Sequence, residues 1–138
     1  MDQMSEVSGE TNGKTIQVSR EVAHPVKEVW DILMTEEGSE TLLGPGAQLG
    51  AKGQAWRSLD GRQGVIRSFH PLESIRFSWR MNDSEPSMVE LVLEKISDGQ
   101  TRIVITHTNL EGISRLDRVE ERWVDALDRI ESDLLTQD

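Results

Sequence analysis

The sequence contains no cysteine, which excludes disulfide scaffolds, thiolate zinc sites and cysteine nucleophiles. Its apolar runs never approach the roughly 20 residues that a membrane-spanning helix needs. No charged and then apolar leader precedes Lys14, so we expect no secretory signal and a cytoplasmic location. Basic residues are few: 15 Lys and Arg stand against 25 Asp and Glu, for a net charge of −10. This charge repels phosphate backbones and anionic lipid, so neither nucleic acid nor a membrane is an expected partner.

Aromatic residues are scarce, and tryptophan is unusually frequent among them. The chain has no tyrosine, two phenylalanines and four tryptophans. The tryptophans are spread along the chain rather than clustered, at Trp30, Trp56, Trp79 and Trp123. Large rigid rings from distant segments either fill a core or form the wall of a pocket, and composition alone leaves both interpretations open.

The length of 138 residues indicates one domain that can bury a sufficient core without covalent staples. Residues 1–13 are small, polar and acidic without periodicity, and we interpret them as a flexible tail. The pattern changes at Lys14, so we place the domain at residues 14–135.

The first part of the domain alternates and then becomes helical. Ile16, Val18 and Val22 alternate with polar residues, as in a half-buried strand. Arg20 falls on the apolar phase of this strand, either at an edge or inside a pocket. Pro25 suits the first position of a helix that carries Trp30, and a second short helix ends before Gly44. The glycine-rich segment 44–53 allows a loop or a weak edge strand.

A run of strands follows, joined by tight turns. Asp60-Gly61 is a strong signal for a β-hairpin. Strict alternation then places one set of side chains on an inward face of the sheet: Ile75, Phe77, Trp79, Met81, Val89, Leu91, Leu93, Ile103, Ile105 and His107.

The last segment is a long amphipathic helix. Its apolar stripe consists of Leu116, Val119, Trp123, Leu127, Ile130 and Leu134. Hairpin-linked strands form an antiparallel sheet with one covered face, and only this helix is long enough to cover it. The fold class is therefore α+β, with a curved antiparallel sheet around a C-terminal helix and two short helices after the first strand.

This order of elements resembles the START-like helix-grip proteins, the polyketide cyclase/dehydrase and lipid-transport superfamily. More narrowly, it resembles the branch of homologues of the heat-shock protein 90 ATPase activator. The resemblance covers residues 14–135 and implies about seven antiparallel strands around the helix, with a cavity between them. The residues that carry it are Ile16, Val18, Arg20, Val22, Ala23, His24, Pro25, Val29, Trp30, Gly53, Asp60, Gly61, Gly64, Phe77, Trp79, Gly99, Thr101, Arg102, Thr106, His107, Trp123 and Leu127.

Catalytic motifs are nearly absent. The three histidines are isolated in sequence, and no metal-binding spacing exists, so we expect neither a metal nor a cofactor. His24 and His70 are predicted to lie at the surface. His107 is on the inward face, either as a hydrogen-bonded core residue or as a polar contact or general base at the cavity wall. The arginines of the strands, Arg62 among them, are interpreted mostly as a solvated outer face.

Two classes of function follow. The first is a small-molecule binding domain whose hydrophobic cavity takes an apolar or aromatic ligand. The second is a cyclase- or dehydratase-type enzyme that would use His107 and Arg20, and a chaperone-interacting domain is a further alternative. A protein partner is compatible with all of these, as are a monomer and a homodimer. The predicted ligand contacts are Trp30, Phe77, Trp79, Leu91, His107 and Trp123.

The change of composition at Lys14 generates a first prediction. Deleting residues 1–13 should leave the melting temperature within a few degrees of that of the full chain, because these residues have no pattern that a core could use. Thermal unfolding followed by circular dichroism would measure this. Collapse of the fold on deletion would show that the segment is structural.

Overall fold

The computed structural model describes residues 15–81, 86–110 and 116–136, which form a six-stranded sheet and three helices. The tail predicted at residues 1–13 lies outside this range, as do the side chains of Met81 and Leu116. Among the described helices, none is long and apolar enough to cross a membrane. The strands are β1 (Ile16–Val22), β2 (Ala55–Arg57), β3 (Arg62–His70), β4 (Ser74–Met81), β5 (Ser87–Ser97) and β6 (Gln100–Thr108), and the helices are α1 (Val26–Leu33), α2 (Glu36–Leu43) and α3 (Leu116–Thr136).

All neighbouring strands are antiparallel, in the order β1-β6-β5-β4-β3-β2. The six described strands are one fewer than the family resemblance implies. Segment 44–53 forms a loop rather than an edge strand in this structure. The predicted hairpin is confirmed, because β2 pairs with β3 across Asp60-Gly61 with Trp56 opposite Gly64.

The predicted alternation is confirmed along the central strands. Ile75, Phe77, Val89, Leu91 and Ile103 are completely buried, and they share one face of the sheet. His107 lies on this face with them and is equally buried. The inner face is therefore mostly apolar, with His107, Ser87 and Thr101 as buried polar residues, and α3 covers it.

A glycine allows the sheet to carry the Trp56 ring. The Trp56 indole Nε1 donates a hydrogen bond to the Ser78 carbonyl at 3.2 Å and passes directly over Gly64. A Cβ at Gly64 would lie 1.9 Å from the Ser78 carbonyl oxygen and 2.7 Å from the indole nitrogen. Only glycine fits at this position.

The two short helices lie where the sequence predicts them, with one shift. Pro25 is the residue before α1 rather than its first residue, because its backbone is extended, with φ −69° and ψ 159°. Its carbonyl still accepts hydrogen bonds from the amides of Glu28 and Val29. Thr35 caps α2 by accepting a hydrogen bond from the Gly38 amide at 3.0 Å.

Helix α3 is held against the sheet by its apolar stripe and by an ion-pair cluster at one end. Trp123, Leu127 and Ile130 are at most 1% exposed. Near one end of β1, Arg20 Nη1 lies 2.6 Å from Asp128 Oδ1 and 3.0 Å from Glu131 Oε1. The charge on the inward phase of β1 is therefore paired with two carboxylates of α3.

This packing predicts the effect of two neighbouring substitutions on α3. Trp123→Ala should lower the free energy of unfolding by about 3–5 kcal/mol, because it removes a fully buried ring from the core. Val124→Ala is the matched control: Val124 is 37% exposed, so its truncation should cost about 0.5 kcal/mol or less. Urea unfolding would measure both, and equal losses would mean that α3 packs through a different face.

Candidate functional site

A chain of hydrogen bonds between buried side chains joins α3 to three strands. The Trp123 indole Nε1 donates to His107 Nδ1 at 3.0 Å, and His107 Nε2 lies 2.7 Å from Ser87 Oγ. Ser87 Oγ donates to the Trp79 carbonyl at 2.9 Å. The His107 ring also makes edge contacts with Trp79 and Trp123, at centroid distances of 5.3 and 5.9 Å. One imidazole therefore fixes two of the four tryptophans.

The donors in this series of hydrogen bonds define the protonation state and the tautomer of His107. An indole nitrogen can only donate, so Nδ1 of His107 must accept and carries no proton. The proton of the neutral ring is then on Nε2, which donates to Ser87 Oγ, while the Ser87 hydroxyl donates onward to the Trp79 carbonyl. Burial, and to a smaller extent the positive charge of Arg122, lowers the pKa of His107 to about 4. His107 is thus a neutral residue with both nitrogens engaged, which corresponds to the core interpretation made from sequence.

The other residues predicted at the site lie in different places. Phe77 and Leu91 are completely buried, and Phe77 packs edge-on against Trp56 at a centroid distance of 5.8 Å. Trp30 packs edge-on against Phe69 at 5.5 Å. Arg20 and His107 share a face but sit on neighbouring strands about four residues apart in register, roughly 13 Å. The structure therefore does not bring the two proposed catalytic groups together.

A cleft open to solvent lies between α2, α3 and the sheet, and its volume is about 750 Å³. Trp79 is the one predicted ligand contact among its lining residues. The lining is Glu40, Thr41, Gly44, Pro45, Arg62, Trp79, Arg118, Val119, Arg122, Asp125, Ala126 and Arg129. Apolar surface comes from Trp79, Val119, Ala126 and Pro45, but four arginines share the lining, so this space differs from the purely hydrophobic cavity expected from sequence.

Arg62 lies at the cleft rather than on the solvated outer face to which the sequence assigned it. Its Nη2 is 3.2 Å from Asp60 Oδ2, and the other oxygen of that carboxylate accepts from the Ser58 hydroxyl. Burial alone would raise the pKa of Asp60, but the Ser58 hydrogen bond and the Arg62 charge hold it below the usual value. Gly44, with φ 120°, lets the chain pass close to Ser58, where a Cβ would lie 2.8 Å from the Ser58 Cβ.

Arg122 is a second half-buried cation of the cleft. Its Nη2 donates to the Leu42 carbonyl at 3.2 Å, near the C-terminus of α2, where a helix dipole is negative. Its guanidinium carbon lies 4.9 Å above the Trp123 ring, a cation–π contact. Burial, followed by repulsion from Arg62, lowers the pKa of Arg122 to about 10, although Asp60 opposes the shift.

Sequence patterns could have found both arginines. Arg62 is in phase with Gly64 and with Ile66, which is buried, so the alternation of β3 already points Arg62 inward. Val119, Arg122, Ala126 and Arg129 recur at spacings of three and four, so they form a second helical face beside the apolar stripe. The inward phase of Arg62 was missed because Gly64 interrupts the apolar alternation of β3. The face of α3 that carries Arg122 was missed because two of its four residues are charged.

The antiparallel sheet around a C-terminal helix defines a helix-grip domain of the α+β class. The family model for activator of Hsp90 ATPase homolog 1-like protein matches residues 23–134, most of the chain. The chain belongs to this family. The resemblance proposed from sequence is confirmed at this level.

Solved structures show the same fold at low sequence identity. MLL2253 from Mesorhizobium loti is 17% identical with a TM-score of 0.79, and the match covers 91% of this chain and 99% of that one. PFC0360w, an HSP90 activator from Plasmodium falciparum, is 18% identical with a TM-score of 0.74, covering 88% and 96%. DynU16, from the dynemicin biosynthetic locus, is 18% identical with a TM-score of 0.75, but the 88% of this chain that aligns spans only 47% of DynU16. A comparison with curated proteins found no match.

The buried imidazole generates a prediction on pH. The pKa of His107 falls from its ordinary 6.5 to about 4 on folding, so the unfolded chain takes up this proton at a higher pH. The stabilisation is complete above pH 6.5 and is lost as the pH falls toward 4, with a loss of about 2 kcal/mol between pH 7 and 5. Urea unfolding of the wild type at these two pH values would measure it.

Two histidine variants test the assignment of this pH dependence. His107→Gln should remove most of the loss, whereas His70→Gln should retain it, because His70 is exposed. An unchanged loss in His107→Gln would mean that other groups are responsible.

Proposed function

We propose that this domain binds a small molecule in the cleft between α2, α3 and Trp79. The cleft volume of about 750 Å³ lies within the usual range for small-molecule sites. The observation that carries the proposal is the position of Trp79, whose ring lines the cleft while the His107–Ser87 chain holds its backbone in place. A flat indole that is already ordered loses little entropy when a ligand stacks on it.

Binding without chemistry fits this site better than the enzyme alternative. A general base needs a free nitrogen and a pKa near the working pH. His107 has partners at both nitrogens and a pKa of about 4, and Arg20 is paired with Asp128 and Glu131. Neither residue is among those that line the cleft.

Family membership supports a protein partner as a second candidate. One structural neighbour is an HSP90 activator from Plasmodium falciparum, and another is the Aha1 dimer from Colwellia psychrerythraea. For this chain, a chaperone partner or self-association would use its acidic outer surface, and it is compatible with ligand binding in the cleft.

Blocking the cleft tests the primary proposal. N-phenyl-1-naphthylamine is an uncharged probe whose fluorescence rises in apolar sites, and we expect it to bind the wild type saturably. Val119→Phe places extra volume on the lining and should weaken binding about tenfold or more, a cost of about 1.4 kcal/mol. Fluorescence titration would measure the dissociation constants.

Val124→Phe is the matched control, because Val124 is on the same helix but outside the lining. It should bind the probe as the wild type does. If the wild type gives no saturable signal, or if both variants behave alike, the ligand does not occupy this cleft and the proposal fails.

A further inference from the structure

Residues that line the cleft carry buried hydrogen-bond donors that no described group accepts from. Within residues 15–81, 86–110 and 116–136, three buried side-chain polar atoms lack a partner: Arg62 Nε, Arg122 Nε and Trp79 Nε1. All three belong to residues that line the cleft. A buried donor without an acceptor costs about 1–3 kcal/mol, so such groups are rare and call for an acceptor such as a water, an ion or a ligand. These three donors therefore lack acceptors among the described residues.

The charge of the lining is opposite to that of the chain. Four arginines face two carboxylates, Glu40 and Asp125, although the whole chain carries −10. Glu40 is engaged, since its Oε2 accepts from the Gly46 amide at 2.8 Å. A positive cleft in an acidic protein attracts anions locally while the remaining surface repels them.

The two guanidinium groups are half-buried and share one neighbouring carboxylate. Asp60 is the carboxylate beside them, and it is held by Arg62 and by the Ser58 hydroxyl. Repulsion from Arg62 contributes to the low pKa of Arg122, after burial. An anion between the two arginines would reduce this repulsion and accept hydrogen bonds from their guanidinium groups.

We infer that the cleft takes a small amphiphilic organic anion, whose acid group accepts from Arg62 and Arg122 and whose aromatic or alkyl body packs on Trp79. This rests on the proposed function and adds the chemical class of the ligand. The apolar part has Val119, Ala126 and Pro45 as further contacts. The acid group is a carboxylate, sulfonate or phosphate, since all three accept two hydrogen bonds from arginine.

Two probes with one scaffold test this inference. 8-Anilino-1-naphthalenesulfonate carries a sulfonate on the same ring system as uncharged N-phenyl-1-naphthylamine. At equal ionic strength, the wild type should bind the sulfonate about tenfold to a hundredfold more tightly, as expected for charge-assisted hydrogen bonds. Fluorescence titration with each probe gives the ratio.

Arginine variants locate the effect. Arg62→Gln should reduce that ratio about tenfold or more, because it removes the charged donor. Arg76→Gln is the matched control, an exposed arginine outside the lining, and should keep the ratio. Arg122→Gln also removes the hydrogen bond to Leu42, so Arg62→Gln carries the test. A thermal melt of each variant confirms that it is folded.

Displacement identifies which part of the ligand matters. Bound sulfonate probe should be displaced by 1-naphthoate, but not by 1-naphthalenemethanol or by inorganic phosphate at the same concentration. Displacement by phosphate as effective as by naphthoate would overturn the amphiphilic part of the inference.

The remaining outcomes separate the two proposals. Equal affinity for both probes, or an unchanged ratio in Arg62→Gln, overturns the anion inference and leaves small-molecule binding intact. Failure of both probes to bind the wild type overturns both.

Discussion

The hydrogen bond from the Trp123 indole to His107 is the interaction on which the arrangement of the inner face depends. An indole N–H buried against a sheet needs an acceptor, and among side chains a neutral imidazole supplies one while keeping a donor for its other side. That second nitrogen reaches Ser87, and Ser87 reaches the Trp79 backbone. One neutral residue therefore connects α3 to the strand that carries Trp79.

Arg122 connects this buried chain to the open cleft. Its guanidinium lies over the Trp123 ring, and its charge disfavours protonation of His107. The same cation that would contact a ligand thus helps to keep His107 an acceptor for Trp123. An anion bound at Arg122 would weaken the effect of the Arg122 charge on the pKa of His107, so the proposed site would be coupled electrostatically to the core. Burial remains the larger cause of the low pKa of His107.

Periodicity predicted the scaffold well because burial in a sheet or helix is itself periodic: Phe77, Leu91 and His107 lie where alternation places them. The partners of these residues could not be predicted in this way. Arg20 pairs with Asp128 across 108 residues of sequence, and Trp123 bonds His107 between a helix and a strand, so only the packing of α3 on the sheet defines both contacts. The expectation that the predicted aromatic residues line one cavity rested on the inward phase of Phe77 and Trp79, on the apolar stripes that carry Trp30 and Trp123, and on the family resemblance. Most of these residues fill the core, and Trp79 alone among them reaches the cleft.

The composition of the cleft explains why family membership does not define the ligand. Helix-grip folds keep a sheet and a helix apart, and the residues that fill or leave open the space between them decide what fits. Here Trp56, Phe77 and Trp123 occupy the inner part, so the open volume is displaced toward α2 and the β2–β3 turn. That end of the sheet is also where Arg62 enters and where Arg122 reaches across from α3. Apolar filling of the interior and cationic lining of the remaining space are thus two consequences of one packing arrangement. For this reason, we expect the selectivity of the proposed binding site to depend on the arginines rather than on the aromatic residues that the sequence makes most conspicuous.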